Sequence, residues 1–260
     1  MSDATPTAVL TERHGNVLVI RLNRPEARNA INGDIARGME AALDTLEGDD
    51  ALLCGVLAAN GPTFCAGADL KLIASGRVLE MNTEKGGFGG LVRRKRTKPL
   101  IAAVHSDALA GGFELVLACD LVVAGEGIKF GLPEAKRSLV ALGGGLVELP
   151  RLVGEKLALE MALTGDPVTA ERLAQAGFVS RIVARDAVVT EAIALGSRIG
   201  ENGPLAVRAA YRIIREERDL GTDARWNLSL EVGLPVFGSE DAMEGSMAFV
   251  EKRKPVWKGR

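Results

Sequence analysis

Aromatic side chains are scarce in this chain: seven Phe, two Trp and one Tyr account for 4% of its 260 residues. A core must therefore come mainly from Ala, Leu and Val. Histidine occurs twice, at His14 and His105. Neither has neighbours that suggest a nucleophilic triad; the first reads as a surface turn residue and the second as a strand end. The three cysteines, Cys54, Cys65 and Cys119, are far apart and lack metal-ligand spacing, which leaves no disulfide framework and no metal motif. Unpaired thiols in odd number fit a reducing, cytoplasmic setting. No apolar run approaches the ~18 residues of a membrane span. The opening stretch "MSDATPTAVLTERHGNV" has no basic segment followed by an apolar one, so no signal peptide is expected. A net charge of −2 lacks the basic footprint of a nucleic-acid binder.

What is present is an alternation of strand-like and helix-like segments. Strands are expected over 16–23, 51–59, 99–106, 120–126 and 128–132, with a helix over 31–47 and another containing Glu114. This pattern points to an α/β fold with mostly parallel pairing. From about 155 helices dominate: "EKLALEMALTG" ends at Gly165, and "TAERLAQAGF" opens on Thr169 as an N-cap. One strand over 179–184 precedes helices near 186–200, 204–218 and 240–252. The expected division is an α/β core over 1–195 and a helical part over 196–260.

Between two strands lies "SGRVLEMNTEKGGFGGLVRRKRTKP" (75–99). Its glycines suggest a mobile flap or a plain surface loop. The basic run inside it reads as a solvated helix face.

Chemistry concentrates around three short motifs. In "ALAGGFELVLACD" (108–120), Glu114 sits among apolar residues. A buried carboxylate is costly unless it is paired, hydrogen-bonded or protonated, so Glu114 has either a structural partner or a chemical role. Gly111 and Gly112 fall where a helix would begin, and the first amides of a helix lack internal partners. "PTFCAGADLK" (62–71) follows a strand with a small-residue turn around Ala68. If the two turns face each other, their N–H groups could hold one oxygen, as in an oxyanion hole. "FGLPEAK" (130–136) supplies Glu134, a second carboxyl group. Two acids in different environments can divide proton transfers between them.

In this order and at these separations the motifs resemble the crotonase family, the enoyl-CoA hydratases/isomerases. The resemblance covers nearly the whole chain, from "LNRPEARNAI" through "FCAGADL", "AGGFELVLACDL" and "KFGLPEA" to "EDAMEGSMAFVEKRKP". It implies a spiral of ββα units, a helical C-terminal part that supports a trimer or dimer of trimers, and an acyl-coenzyme A thioester as substrate with no other cofactor and no metal. By similarity, Ala68 and Gly111 would hold the thioester oxygen. Glu114 and Glu134 match the two acids of the hydratases, in either division of roles. Coenzyme A would contact Ala27, Arg28, Ala66, Asp69 and Leu70, with Phe249 and Lys252 reaching the nucleotide.

The resemblance therefore implies reversible addition of water to a 2-enoyl-CoA, with no nucleic-acid or membrane partner. The carnitinyl-CoA dehydratase branch is the alternative, and its cationic substrate would need aromatic or acidic groups such as Glu80, Glu84 and Phe88. An isomerase, and a non-catalytic acyl-CoA- or RNA-binding member, are further alternatives. Two departures from the family pattern stand out. Ala110 replaces a usual glycine, a change expected to be tolerated. Leu142, in "SLVALGGGL", is expected to narrow the water or acyl pocket.

Overall fold

A computed structural model describes residues 7–260. The signal-peptide reading of the first six residues lies outside the described residues. The chain divides into two units, Met1–Gly196 and Ser197–Arg260.

The first unit runs β1 (Val9–His14), β2 (Val17–Leu22), α1 (Gly33–Gly48), β3 (Cys54–Ala59) and α2 (Leu70–Ala74), followed by a short hairpin of β4 (Asn82–Thr83) and β5 (Gly87–Phe88). Next come β6 (Leu100–Val104), β7 (Ala108–Leu109), α3 (Gly111–Leu117), β8 (Leu121–Gly125) and β9 (Lys129–Gly131). It continues with α4 (Gly145–Val153), α5 (Glu155–Thr164), β10 (Val168–Thr169), α6 (Ala170–Gln175), β11 (Arg181–Val183) and α7 (Val188–Gly200), whose last turn enters the second unit.

Six strands form one sheet in the order β1-β2-β3-β6-β8-β11, parallel except for the β1–β2 pair. β3 and β6 are buried along their whole length, which explains their continuous apolar sequences: a strand covered on both faces has no polar side to display. β1, "VLTERH", has one buried residue. It is an edge strand held by backbone pairing, so its sequence carries no apolar alternation and the strand was not expected. A second sheet, β10-β9-β7, leads into α3. Three rings, Phe113, Phe130 and Phe178, cluster with centroids 5.3–6.0 Å apart. Ala, Leu, Val and Ile fill most of the remaining core.

The segment 75–99 is not a bare surface loop. Met81 and Leu91 are buried. The carboxylate of Glu40 in α1 accepts the Lys85 and Gly86 amides at 3.1 and 3.0 Å. The basic run is a solvated face only in part, with Arg93 and Lys95 exposed. Lys98 is 1% exposed, and its ammonium donates to the carbonyls of Leu46 and Asp49 at 2.7 and 2.8 Å, closing the C-terminus of α1. Arg96 is buried against Asp120, 2.9 Å away. Cations here answer the unpaired carbonyls and negative pole at a helix end.

The second unit holds α8 (Pro204–Glu216), α9 (Thr222–Phe237) and α10 (Glu240–Glu251). α4 and α9 were absent from the sequence expectations, and each contains a proline, Pro150 and Pro235, the residue that ordinarily ends a helical pattern. The tail folds back on α10. The Asp241 carboxylate accepts the Lys258 and Gly259 amides at 2.7 and 2.9 Å, and Trp257 Nε1 donates to the Glu201 carbonyl at 2.8 Å.

Candidate active site

The two turns expected to face each other do so. A β-carbon placed on Gly67 would lie 2.9 Å from the Gly111 nitrogen, and one on Gly111 would lie 3.3 Å from the Ala68 nitrogen. Neither the Ala68 nor the Gly111 amide donates to a backbone acceptor among the described residues. Two unused donors this close can share one ligand oxygen. Ala110, just before them, has φ 51° and ψ −133°, a region reserved in practice for glycine. The substitution of alanine for the family's glycine is accommodated, but with backbone strain.

Glu114 lies one turn into α3, so it shares a face with Gly111. It is 4% exposed. Its partner is the triple glycine 143–145 that leads into α4: Oε1 accepts the Gly145 amide at 2.9 Å, and the Gly143 amide also bonds the carboxylate. Its pKa is pushed up to about 7, chiefly by burial and also by the nearby charge of Glu134, against the pull of the Gly145 and Gly143 amides. β-carbons at Gly143 and Gly145 would lie 2.6 Å from Oε2 and 3.0 Å from Oε1, so larger residues would crowd the carboxylate.

Glu134 stands in the short helical turn Pro133–Arg137. Burial raises its pKa as well, and its buried Oε2 has no hydrogen-bond partner among the described residues. It lines a cavity of about 390 Å³ with Leu132, Leu139, Leu146, Leu149 and Leu159. Gly145 is on the cavity wall too, and it therefore connects the cavity to Glu114.

The residues assigned to coenzyme A by resemblance fall in two places. Ala27 and Arg28 form a turn whose Arg28 carbonyl accepts the Ala66 amide at 3.0 Å, and Asp69 donates its amide to the Ile31 carbonyl at 3.0 Å. This ties Ala27, Arg28, Ala66, Asp69 and Leu70 into one surface. The Asp69 carboxylate caps α2 by accepting from Lys71 and also faces Arg24 at 3.4 Å. Phe249, 86% exposed, and Lys252 belong to α10 and its cap in the second unit.

The model of the family described as "Enoyl-CoA hydratase/isomerase" matches residues 12–260. The chain belongs to that family. It is 40% identical over 257 residues to enoyl-CoA hydratase EchA19 of Mycobacterium tuberculosis, covering 96% of each chain. It is 37% identical over 254 residues to a carnitinyl-CoA dehydratase of Citrobacter koseri, covering 95% of this chain and 97% of that one. The crystal structure of enoyl-CoA hydratase EchA1 from Mycobacterium marinum superposes with a TM-score of 0.94 at 45% identity, covering 98% of this chain and all of that one. The fold is therefore the crotonase fold that the motifs implied.

Against the family pattern, Leu142 does not narrow the pocket. It is 87% exposed and absent from the cavity wall, which Ala141 lines instead. Cys65 is no nucleophile: burial pushes its thiol up to about 12, and the Sγ–H donates to the Asn29 carbonyl at 3.1 Å. Sequence reasoning missed Gly143 and Gly145 as the cradle of Glu114, although three successive glycines beside a helix were a visible signal. It also missed Phe88 as a neighbour of both Gly111 and Gly143. Among the described residues there is no cluster that could hold a metal ion, and no helix is long and apolar enough to cross a membrane.

Proposed function

We propose that the protein is an enoyl-CoA hydratase that adds water reversibly across the 2,3 double bond of an acyl-CoA thioester. The observation that carries this reading is a buried acid, Glu114, one helical turn from a facing pair of unused backbone amides and near enough to Glu134 to feel its charge. The Ala68 and Gly111 amides would hold the thioester oxygen and stabilise the enolate as charge develops there. One such donor is worth about 2.7–4 kcal/mol of barrier.

Glu114 and Glu134 repel each other when both are ionised, so the pair titrates jointly and passes through a singly protonated state. In that state the carboxylate takes a proton from water as its oxygen bonds to the β-carbon. The carboxyl group delivers a proton to the α-carbon, and the pair ends the cycle with the same proton count. The substrate's coenzyme A would lie along the Ala27–Arg28 turn and Ala66, Asp69 and Leu70.

Of the two acyl classes named by the relatives, the apolar cavity favours an uncharged chain. Its wall contains no aromatic residue and, besides Glu134, one acidic group, Glu155, while Glu80 is engaged by Arg77 in an exposed ion pair. A trimethylammonium group would find no aromatic cage in that cavity. Self-association is supported by a stripe on α9, where Trp226, Leu230, Leu234 and Phe237 share one face and are 53–82% exposed. Three buried free thiols suit a cytoplasmic setting.

The reading is tested by assaying purified protein against crotonyl, longer-chain, branched and crotonobetainyl thioesters. Hydration of uncharged enoyl-CoAs is expected. Turnover confined to crotonobetainyl-CoA would transfer the protein to the carnitinyl branch, and no turnover with any of them would end the hydratase reading.

A further inference from the structure

We infer that Phe88 determines how much branching the site accepts at the α- and β-carbons of the acyl chain, an inference that rests on the hydratase reading above. The evidence is the path of one edge of its ring. A β-carbon on Gly143 would lie 2.7 Å from Phe88 Cδ1, and one on Gly111 would lie 2.8 and 2.7 Å from Cε1 and Cζ. These three ring atoms are consecutive, so a single edge runs from the glycine that cradles Glu114 to the glycine that supplies an amide of the thioester grip.

The reacting carbons must span that same interval. With the thioester oxygen on the Ala68 and Gly111 amides and water at the Glu114 carboxylate, the α- and β-carbons lie between the two. The ring flanks them. A straight 2-enoyl chain is planar and passes beside the ring edge, whereas a methyl group on either carbon competes with the ring for space.

Phe88 is only partly buried, so part of the ring remains available to a ligand. Its backbone, however, is fastened on both sides. Glu40 holds the Lys85 and Gly86 amides, and the Gly89 amide donates to the Met81 carbonyl at 2.8 Å. A β-carbon on Gly89 would meet Leu115 Cδ2 at 2.7 Å, so the hairpin sits directly on α3. The backbone that carries the ring cannot shift without displacing the hairpin. The "GGFGG" motif thereby acquires a purpose, since its glycines let the backbone approach α1 and α3 closely enough to seat one aromatic ring.

The test is the ratio of kcat/KM for 2-methylcrotonyl-CoA and 3-methylcrotonyl-CoA to that for crotonyl-CoA, in wild type, Phe88→Ala and Phe88→Leu. One misplaced methyl group in an apolar site costs roughly 10–200-fold, and wild type is expected to disfavour the branched thioesters within that range. Phe88→Ala should raise the branched-to-straight ratio by about tenfold or more, with Phe88→Leu between. Loss of packing alone would lower all three rates together and leave the ratio where it was. Circular dichroism checks folding, and Phe88→Leu decides the matter should the alanine variant fail to fold. An unchanged ratio in variants that hydrate crotonyl-CoA overturns this inference alone, as does a wild type indifferent to branching. Should wild type hydrate none of the three, the same ratio is measured on longer-chain straight and methyl-branched enoyl-CoAs, and failure on all of these removes the hydratase reading and this inference with it.

Discussion

The Gly145 amide donates to Glu114 Oε1 across 2.9 Å, and Gly145 also lines the cavity that contains Glu134. One glycine thus joins the buried acid to the pocket of its partner. The Glu114 carboxylate is held by backbone donors rather than by a cation, which leaves it able to change protonation state without breaking an ion pair.

That arrangement carries a stability signature. Folding raises the Glu114 pKa to about 7, against about 4.3 for an exposed glutamate. A raised carboxyl pKa contributes stability that is complete below the unfolded value and lost as pH rises through the folded one. Glu114→Gln cannot ionise. Freed of the ionisation cost, it is expected to exceed wild type above pH 7 by up to about 2 kcal/mol, a gain already reduced because the amide cannot accept fully from both Gly143 and Gly145. The advantage should shrink toward pH 5. Melting curves across this range check it, and a difference independent of pH would contradict the assignment.

Ala110 stores strain at φ 51°. Ala110→Gly should stabilise the fold by about 1 kcal/mol, the relief exceeding the added freedom of the unfolded chain. Denaturant unfolding measures it. A destabilised glycine variant would show that the methyl group contributes more by packing than the backbone loses.

Lys98 tests the basic run as architecture. Its ammonium is buried on carbonyls at the end of α1, and Lys98→Met would leave those acceptors unanswered at a cost of about 1–3 kcal/mol. A lower Tm with unchanged specific activity per folded molecule is expected. An unchanged Tm would refute the capping role.

The sequence reveals the site better than its supports. Glu114 declared itself as a carboxylate in an apolar run, and the glycines at 111 and 112 marked the amide turn, because local chemistry alone makes those residues unusual. The central strands were legible from unbroken apolar runs. β1 was not, since an edge strand is specified by its neighbour's backbone rather than by its own side chains. α4 and α9 were hidden by prolines that tertiary packing accommodates. Lys98 and Arg96 looked solvated because nothing in "RRKRTK" announces that the end of α1, about 50 residues earlier, needs one cation and the end of α3, about 20 residues later, the other. Phe88 was visible as an aromatic among glycines, but its place between Gly111 and Gly143 depends on contacts between distant segments.

The most direct measurement is the rate of crotonyl-CoA hydration, followed by loss of the enoyl-thioester absorbance, in wild type, Glu114→Gln and Glu134→Gln, alongside binding of saturated butyryl-CoA. Each variant should lose about 10²–10⁴-fold in turnover, the scale of a removed proton-transfer group, while still binding the saturated thioester. Undiminished turnover in either variant would contradict the two-acid account.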